Sequence, residues 1–453
     1  MSHLESASSR KSTTDDLPAT DTLFAKIAWR IVPLLFLCYV YAYVDRVNVG
    51  MAQLQMKQTL PFGDLSYSIG ASIFFVGYLL FEVPSNLMLE KIGARRTMLR
   101  IMLGWGAVST CLMFVRSEPV FYALRFLLGA FEAGFFPGVI LYLTYWFPAQ
   151  RRGSIISIFL AAPVLSLLAM TPVSGAILRG FDGMAGLHGW QWLFLISGLP
   201  AVLLGLVTFF ALSDRPEQVT WLSDGEKSVL RKQLDSETTG VSTAAHASIR
   251  ALLCDPKVYA LSLVYLLFIG CVYSMIFWTP TLIKGWGINN LFWVGIYSAI
   301  PYLCGIVGMT LFGRHSDRTR ERRWHFAGAT GLSAAGLGIT IVAQGSFTLS
   351  LLGLCVMTTG MVTLTPVFFT AVSEYVPKKT AAAGIALISS LGNLGASVIP
   401  PALVWMNGRT GAPYTSLGLI IAMLLLSGGL LLIALRPAHV ARTELTGATQ
   451  ILE

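Results

Sequence analysis

The sequence predicts an all-α integral membrane protein in which about twelve transmembrane helices form two six-helix bundles around a central cavity. Three observations support this fold class. Hydrophobic residues make up 55% of the chain and charged residues only 12%, about half the charge of a soluble domain. The 453 residues accommodate about twelve apolar segments of ~20 residues with short loops. The second half of the chain also repeats motifs of the first half.

Twelve apolar runs separated by polar breaks are the predicted membrane spans. In chain order, spans one to twelve are Ile31–Met51, Ile69–Leu89, Thr97–Val115, Val120–Trp146, Ile155–Leu178, Trp192–Leu212, Val258–Thr279, Leu291–Phe312, Ala327–Ala343, Leu349–Val372, Ala381–Trp405 and Tyr414–Leu435. The domain boundaries that follow are a disordered cytoplasmic tail over 1–22, an N-terminal six-helix bundle over 23–212, a cytoplasmic central loop over 213–255, a C-terminal six-helix bundle over 256–436 and a cytoplasmic tail over 437–453.

Lysine and arginine residues concentrate in the even-numbered loops. The loop after span eight alone contains five arginines between Arg314 and Arg323. The odd-numbered loops together contain only Lys57, Arg116, Arg179, Lys284 and Arg409. Because cytoplasmic loops of membrane proteins carry the excess of positive charge, we expect both termini to be cytoplasmic.

The central loop contains one helix signal. Ser223 and Glu226 have the spacing of a capping box, and Val229, Leu230 and Leu234 follow at helical intervals. This pattern predicts one short amphipathic helix at the cytoplasmic face. A disordered linker is the alternative interpretation.

Several other classes of protein find no support in the sequence. The net charge is +9, but the basic residues lie in short loops between spans, so we expect no nucleic-acid partner. The six cysteines are scattered and show neither a C-x-x-C pair nor metal-ligand spacing. The chain lacks the H-E-x-x-H, G-x-S-x-G and G-x-G-x-x-G motifs of metalloproteases, hydrolases and nucleotide-binding enzymes. We therefore expect no enzyme activity, no metal and no cofactor, with a membrane-embedded enzyme or sensor as the remaining alternative.

The two halves repeat in register. Asn86-x-x-x-Glu90-Lys91-x-Gly93-Ala94-Arg95-Arg96 follows span two, and Gly313-x-x-x-Asp317-Arg318-x-Arg320-Glu321-Arg322-Arg323 follows span eight, at an offset of 227 (313 − 86). Trp146-Phe147-Pro148-x-x-Arg151-Arg152 follows span four, and Tyr375-Val376-Pro377-Lys378-Lys379 follows span ten, at an offset of 229 (377 − 148). Two independent matches at nearly one offset indicate a duplicated six-helix unit, a plan known from secondary transporters.

These motifs resemble those of the major facilitator superfamily. The segment Asn86–Arg96 is similar to its signature G-x-x-x-D-R/K-x-G-R-R, with Asn86, Glu90 and Ala94 as departures, and Arg125-x-x-x-Gly129 is similar to its span-four signature. The segments Tyr43–Asn48, Gly77–Asn86, Glu132–Gly138, Leu143–Gly153 and Gly189–Phe194 resemble the anion:cation symporter family. The resemblance covers nearly the whole chain and is greatest to bacterial permeases for tartrate, phthalate and hydroxyphenylacetate. It implies a multi-pass protein of the bacterial inner membrane, surrounded by lipid and active as a monomer.

Apart from Arg100, which lies near the loop at the start of span three, five charged side chains lie within predicted spans: Asp45, Arg46, Glu82, Arg125 and Glu132. A charge at mid-membrane costs ~2.5–3.5 kcal/mol and therefore marks a functional site. Asp45 lies about 21 Å along span one and Arg125 about 8 Å from the other face, levels that nearly coincide in a core ~30 Å thick. Arg125 and Glu132 are seven apart in the sequence and share a helix face. We expect Asp45, Arg46, Arg125 and Glu132 to line one cavity.

An arginine keeps its charge and offers a two-pronged fork for a carboxylate, which suits an anion site. A carboxylate beside it can take up a proton when substrate occupies the arginine, which couples proton uptake to anion binding. The resemblance implies that Arg46 holds the substrate together with Tyr43, Tyr78 and Asn393, and that Asp45 and Glu132 carry the coupling protons. Arg125 is a further substrate-binding candidate, with orientation of Glu132 as its alternative. A permanent salt-bridge network between spans one and four is the alternative for the whole cluster.

Gating is the role predicted for a second group of charges, Glu82, Glu90, Arg95, Asp317 and Arg318. Glu82 shares a helix face with Tyr78 and acts in structure or gating. Glu90 is expected to face the start of span eleven after Lys378 and Lys379, and Asp317 the start of span five near Arg152, because a carboxylate is stabilised at a helix N-terminus. The alternative is that these charges only determine the orientation of the spans in the membrane.

The sequence thus predicts proton-coupled symport of a small organic acid anion, tartrate-like or aromatic, by alternating access. Sodium-coupled symport, anion exchange and export by a relative of the same superfamily are the alternatives. Identity of the substrate and the coupling ion, and the choice between Asp45 and Glu132 as main proton carrier, are left open by the sequence.

Overall fold

The computed structural model describes residues 16–238, 253–376, 381–411 and 414–435. These ranges contain twelve helical segments that are long and apolar enough to cross a membrane, and no strand, so the predicted fold class is confirmed. The helices of spans one to twelve are Asp16–Thr59, Asp64–Ile92, Ala94–Cys111, Glu118–Glu132 with Phe135–Thr144, Ala149–Gly180, Gly189–Ala211, Pro256–Gly285, Leu291–Thr319, Arg323–Val342, Phe347–Tyr375, Ala381–Thr410 and Thr415–Ala434.

Most helices are longer than the apolar runs that predicted them, because the helix continues into the polar boundary where its end is solvated. Span one begins at Asp16, so residues 16–22, which we predicted to be disordered, belong to a helix. The remainder of the predicted N-terminal tail, residues 1–15, lies outside the described residues, as do 436–453. Span one starts at the face that also holds the end of span twelve. We call this the terminal face and the opposite one the distal face.

Each half packs as a bundle with the same internal pairing. Spans three and six, two and four, and one and five are neighbours in the first half. Spans nine and twelve, eight and ten, and seven and eleven are neighbours in the second half. Span five meets span eight and span two meets span eleven across the middle, while span one packs against span seven. Each pair within a half recurs six spans later, as a duplicated unit requires.

The repeat extends to the ends of the helices. The start and the end of span eight are both offset by 227 from those of span two (291 − 64 and 319 − 92). The start of span ten is offset by 229 from that of span four (347 − 118). These are the offsets of the sequence motifs. The halves differ in span four, which is interrupted at Ala133 and Gly134, whereas span ten is one helix from Phe347 to Tyr375.

The predicted helix of the central loop is confirmed over Asp224–Thr238. Its capping box is formed: the Ser223 amide donates to Glu226 Oε2 at 2.8 Å, and the Glu226 amide donates to Ser223 Oγ at 3.2 Å. Lys26 Nζ donates to both oxygens of Glu226, at 2.9 and 3.1 Å, and lowers the pKa of that carboxyl. The loop helix therefore docks on the first turns of span one. Residues 239–252 of the loop lie outside the described residues.

The two halves touch near the distal face. Lys284 Nζ of span seven donates to the Leu54 carbonyl of span one at 3.2 Å. Gly50 of span one lies against the carbonyl oxygens of Ile276 and Phe277 of span seven. Spans five and eight approach each other in the same way, with Gly175 against Leu291. We refer to this region of contact between the halves as the distal seam.

Candidate functional site

A buried ion pair joins spans one and four. Arg46 Nη2 donates to Glu132 Oε1 at 2.6 Å, and both side chains are almost fully buried. The Arg46 guanidinium also lies over the rings of Tyr43, at 4.3 Å, and Phe74, at 5.1 Å. Arg46 Nε and Glu132 Oε2 have no hydrogen-bond partner among the described residues. The pair is thus enclosed by aromatic rings while one donor and one acceptor stay available.

The interruption of span four places Glu132 at this position. The helix Glu118–Glu132 ends on Glu132, Ala133 is non-helical, and the next helix begins at Phe135. Gly134 has φ +83°, a conformation that a residue with a Cβ adopts only at a cost, and it lies against Ser85 of span two. Our prediction of one continuous helix over Val120–Trp146 is wrong here. The glycine and Pro137 were the available signals, since both commonly mark helix interruptions.

Asp45 faces a different helix from its neighbour Arg46. Trp105 Nε1 and Ser109 Oγ, both on span three, donate to its two carboxylate oxygens. Asp45 is 3% exposed. Successive residues of a helix point about 100° apart, which allows Asp45 to face span three while Arg46 faces span four. Asp45 therefore lies beside the ion pair and is held by span three.

Arg125 is turned toward span two. Its Nε donates to the Gly70 carbonyl at 3.2 Å and its Nη2 to the Ala71 carbonyl at 3.0 Å, and the side chain is 0% exposed. Gly129, one turn further, lies against the backbone of Phe74. The Arg125-x-x-x-Gly129 motif thus holds spans two and four in backbone contact. Arg125 Nη1 is buried without a hydrogen-bond partner among the described residues. A contact of Arg125 with substrate therefore stays a prediction.

The remaining predicted binding residues are half-buried. Tyr43 packs edge-on against Tyr39, with ring centroids 5.5 Å apart, and Tyr78 lies 6.1 Å from Phe74. Glu82 follows Tyr78 by one helical turn toward the terminal face and is also half-buried.

Asn393 of span eleven is half-buried as well. It lies between Gly392, which is packed against the Tyr265 ring, and Gly395, which is packed against the Leu266 carbonyl. Spans seven and eleven are therefore in close contact beside Asn393, as its small neighbours predicted.

Sequence reasoning missed several residues of the site. Trp105 and Ser109 hold Asp45, and Phe74 lies under both Arg46 and Arg125. Tyr273 of span seven packs against Phe75 with centroids 4.5 Å apart and lies close enough to Arg46 to interact with it. Tyrosine and tryptophan are common in membrane helices, so only the packing of the helices distinguishes these from ordinary packing residues.

The predicted gating residues make their contacts in two groups, one in each half of the molecule. The Arg95 amide donates to Asp214 Oδ1 at 2.8 Å and its Nε donates to the Phe209 carbonyl at 2.8 Å, which ties span three to the end of span six. Asp317 pairs with Arg322 Nη1 at 2.8 Å. Arg318 is exposed. The predicted partners Lys378 and Lys379 and the side chain of Glu90 lie outside the described residues.

Arg322 extends this second group into a small network. Its Nε also pairs with Glu374 at 3.2 Å, so it joins the ends of spans eight and ten. The contacts described for Arg95 and Asp317 therefore each lie within one half of the molecule. They hold helices of the same bundle together at the terminal face.

Comparison with known proteins identifies the family. Residues 35–400 match the model of the Major Facilitator Superfamily. A protein of Agrobacterium vitis named "Putative tartrate transporter" is 45% identical over 93% of this chain and 93% of its own length. The "Quinolone resistance transporter" of Acinetobacter baumannii is 40% identical over 85% of this chain and 88% of its own.

A solved structure has the same fold. The inward-facing, occupied form of a bacterial homologue of the human lysosomal transporter Spinster aligns with a TM-score of 0.71 over 89% of this chain and 96% of its own, at 15% identity. Because the family model spans most of the chain, and because the family and these relatives are transporters, this chain is a membrane transporter of the Major Facilitator Superfamily and not an enzyme.

Proposed function

We propose that this chain imports a small organic acid anion together with protons, by alternating access, across the bacterial inner membrane. The observation that carries the proposal is the buried ion pair of Arg46 and Glu132, which leaves one donor and one acceptor without partners among the described residues. A buried ion pair is a poor way to gain stability, since desolvation offsets much of the attraction. Its retention inside a transporter points to a role in binding and coupling.

The chemistry of the pair suits an anion and a proton. Arg46 stays charged and can donate two parallel hydrogen bonds to a substrate carboxylate. When the substrate carboxylate takes the place of Glu132, the Glu132 carboxylate is left without its cation in a buried position. An unpaired charge there is costly, and binding a proton neutralises it. Substrate binding and proton uptake would then occur together.

Asp45 is the second candidate for a residue that carries a coupling proton. Both of its oxygens already accept hydrogen bonds from span three, and Arg46 lies next to it in the chain. We assign the direct exchange of partners to Glu132, which shares Arg46 with the substrate, and a supporting proton site to Asp45. Because two carboxylates this close influence one another, they would titrate as a pair.

The substrate class rests on the anion site and on the relatives. Tyr43, Tyr78 and Asn393 are half-buried polar residues, and the Arg46 guanidinium lies over the Tyr43 ring. One relative, at 45% identity over nearly its full length, is named as a tartrate transporter. We therefore propose a tartrate-like or aromatic carboxylate, bound through its carboxylate at Arg46.

Orientation and gating complete the proposal. Basic residues accumulate in the loops of the terminal face, which supports a cytoplasmic position of that face and of both termini.

We propose that the contacts of Arg95 with Asp214 and of Asp317 with Arg322 keep each bundle rigid, so that each bundle moves as one rigid body. Glu82, half-buried toward the terminal face, and Glu90 and Arg318 are proposed gate residues of that face. A monomer contains every residue named for this cycle.

A second candidate function is export. It is favoured by one observation, the 40% identical relative that is named as a quinolone resistance transporter. The same fold and ion pair would serve an exporter that exchanges protons for substrate. Sodium coupling and anion exchange are further outcomes that the experiment below separates.

The test is uptake of labelled tartrate, and of labelled benzoate as an aromatic acid, into proteoliposomes containing the purified protein. We expect accumulation when the outside is more acidic than the inside, and no response to a sodium gradient. Arg46→Ala should abolish it, while Arg179→Ala, which removes an exposed arginine of the distal face, should not. Accumulation driven only by sodium would contradict proton coupling. Absence of any organic-acid transport would contradict the substrate class.

A further inference from the structure

Four side chains of the distal seam have buried polar atoms without hydrogen-bond partners among the described residues. They are Gln53 of span one, Ser68 and Ser72 of span two, and Thr281 of span seven. Gln53, Ser68 and Ser72 are 1%, 3% and 2% exposed. For Gln53 this holds for both the amide nitrogen and the amide oxygen. Such groups are rare in folded proteins, and each calls for an explanation.

Helical spacing places these side chains on the surfaces by which the halves meet. Gln53 lies three residues after Gly50, which touches span seven, and therefore on the same face of span one. Thr281 lies four residues after Phe277 and three before Lys284, which are residues of span seven that contact span one.

Ser68 and Ser72 have the same placement on span two. They lie seven and three residues before Phe75, on the same helix face. Phe75 packs against Tyr273 of span seven with centroids 4.5 Å apart. All four polar side chains therefore lie where the first half closes against the second.

The polar atoms of the four side chains are almost completely inaccessible to solvent. One cavity within the distal seam has a volume of about 10 Å³, which is room for one water at most. It is lined by residues such as Val47, Ile276 and Ser298, and none of the four side chains lines it. Their polar atoms are thus withdrawn from water when the seam is closed.

We propose that these four side chains are a release device for the distal gate. In an alternating-access carrier the seam opens to water at the distal face, where all four side chains are hydrated. Closing the seam strips that water without replacing its hydrogen bonds, so the distal-closed state is destabilised relative to the distal-open state. The empty carrier then returns to the state that receives substrate from the distal side.

This inference rests on the alternating-access part of the proposed function and on no particular substrate. Its test is the population of the two states, measured by electron–electron double resonance in lipid nanodiscs without substrate. Spin labels are placed at Arg116 and Gln344, which are exposed at the distal face of opposite halves, in a variant without the six native cysteines. A short distance reports the closed seam and a long one the open seam.

The seam offers a matched pair of substitutions. Thr281→Val removes a hydroxyl without a partner among the described residues, whereas Thr279→Val removes, from the same helix, a hydroxyl that donates to the Met275 carbonyl at 2.7 Å. We expect Thr281→Val and Ser72→Ala each to raise the ratio of closed to open about fivefold, and Gln53→Met to raise it further. Thr279→Val should leave the ratio within about twofold of the unsubstituted protein.

The proposal is overturned if Thr281→Val, Ser72→Ala and Gln53→Met leave the ratio where Thr279→Val leaves it, or lower it. Should Thr281→Val or Gln53→Met fail to fold, Ser68→Ala and Ser72→Ala each remove only one oxygen atom and decide the question. The measurement requires no transport. If the carrier moves no organic acid but shows the shift in the ratio, the proposed substrate is refuted and the release device is supported. If the carrier transports organic acid normally but shows no shift, the release device is refuted and the proposed substrate is supported.

Discussion

Glu132 is the last residue of the helix Glu118–Glu132, and its carboxylate receives a hydrogen bond from Arg46 at 2.6 Å. The carboxylate therefore stands where span four is interrupted, so its position depends on the turn at Ala133 and Gly134 as well as on its ion pair. This relationship connects the anion site, the coupling carboxylate and the interruption of span four, and each can be tested separately.

The fork geometry of Arg46 is the first target. Arg46→Lys keeps the positive charge but loses the planar pair of donors and the stacking on Tyr43 and Phe74. We expect the initial rate of organic-acid uptake to fall at least about tenfold, the equivalent of one charge-assisted hydrogen bond. The assay is uptake into proteoliposomes, with Arg30→Lys, a change at a terminal-face arginine stacked on Trp221, as the control. Normal uptake by both Arg46→Lys and Arg46→Ala would show that Arg46 is no anion site.

Neutral analogues of the two carboxylates test coupling. Glu132→Gln and Asp45→Asn keep the shape of the side chain but cannot take up or release a proton. We expect each variant to lose accumulation driven by a pH gradient while retaining exchange of labelled for unlabelled substrate. Uptake with and without the gradient, measured beside counterflow, separates the two activities. Full pH-driven accumulation by both variants would place the proton site elsewhere, with Glu82 as the next candidate.

Gly134→Ala tests the interruption of span four. Gly134 has φ +83°, and a Cβ there would overlap Ser85. The left-handed conformation alone costs a residue other than glycine about 1–2 kcal/mol, so thermal stability in detergent should fall. Gly338→Ala is the matched control, because Gly338 lies inside the helix of span nine with open space around its Cα. Equal melting temperatures for the two variants would contradict the interruption.

Docking of the loop helix should depend on pH. Lys26 lowers the pKa of Glu226 in the docked state, so the docked helix binds fewer protons than the free one. The stabilising contact is therefore complete above the ordinary glutamate pKa of about 4.3 and is lost as the pH falls through the lowered value. The protection of Asp224–Thr238 against hydrogen exchange, expressed relative to the intrinsic rate at each pH, should fall at acidic pH, and Glu226→Gln should lower it at neutral pH. Glu217→Gln, a change at an exposed neighbour, should leave the rate unchanged.

Labelling of single cysteines tests the orientation. Cysteines placed at Lys227 and Arg320 should react only with membrane-permeant reagents, because both positions are expected at the cytoplasmic face. Cysteines at Lys284 and Arg409 should react with impermeant reagents added to intact cells. Reaction of position 320 with the impermeant reagent would reverse the predicted topology.

The sequence was sufficient for the twelve spans, for the duplication and for the loop helix. Each of these rests on a local pattern: an apolar run long enough to cross the bilayer, a motif that recurs at nearly one offset in the second half, or a capping box such as Ser223 with Glu226. Local patterns survive in the structure because backbone groups in lipid must be satisfied within the helix itself. The charges in spans one, two and four could also be recognised from the sequence, because each stands inside an apolar run.

Only the tertiary structure decided how those charges are shared. The depths in the membrane estimated from the sequence were similar for Asp45, Arg46, Arg125 and Glu132. The rotation of each helix, however, directs Asp45 to span three and Arg125 to span two. Arg46 and Glu132 pair because span four is interrupted at Gly134, a local turn that an unbroken apolar run concealed. Helix rotation depends on packing between distant segments, and no local pattern of residues fixes it.

The polar side chains at the distal seam were likewise decided by the tertiary structure. Gln53 and Thr281 lack partners among the described residues only because two halves that are far apart in the chain close against each other. In the sequence each is an ordinary polar residue near the end of an apolar run. Burial of a side chain depends on what packs over it, and here the covering surface comes from the other bundle.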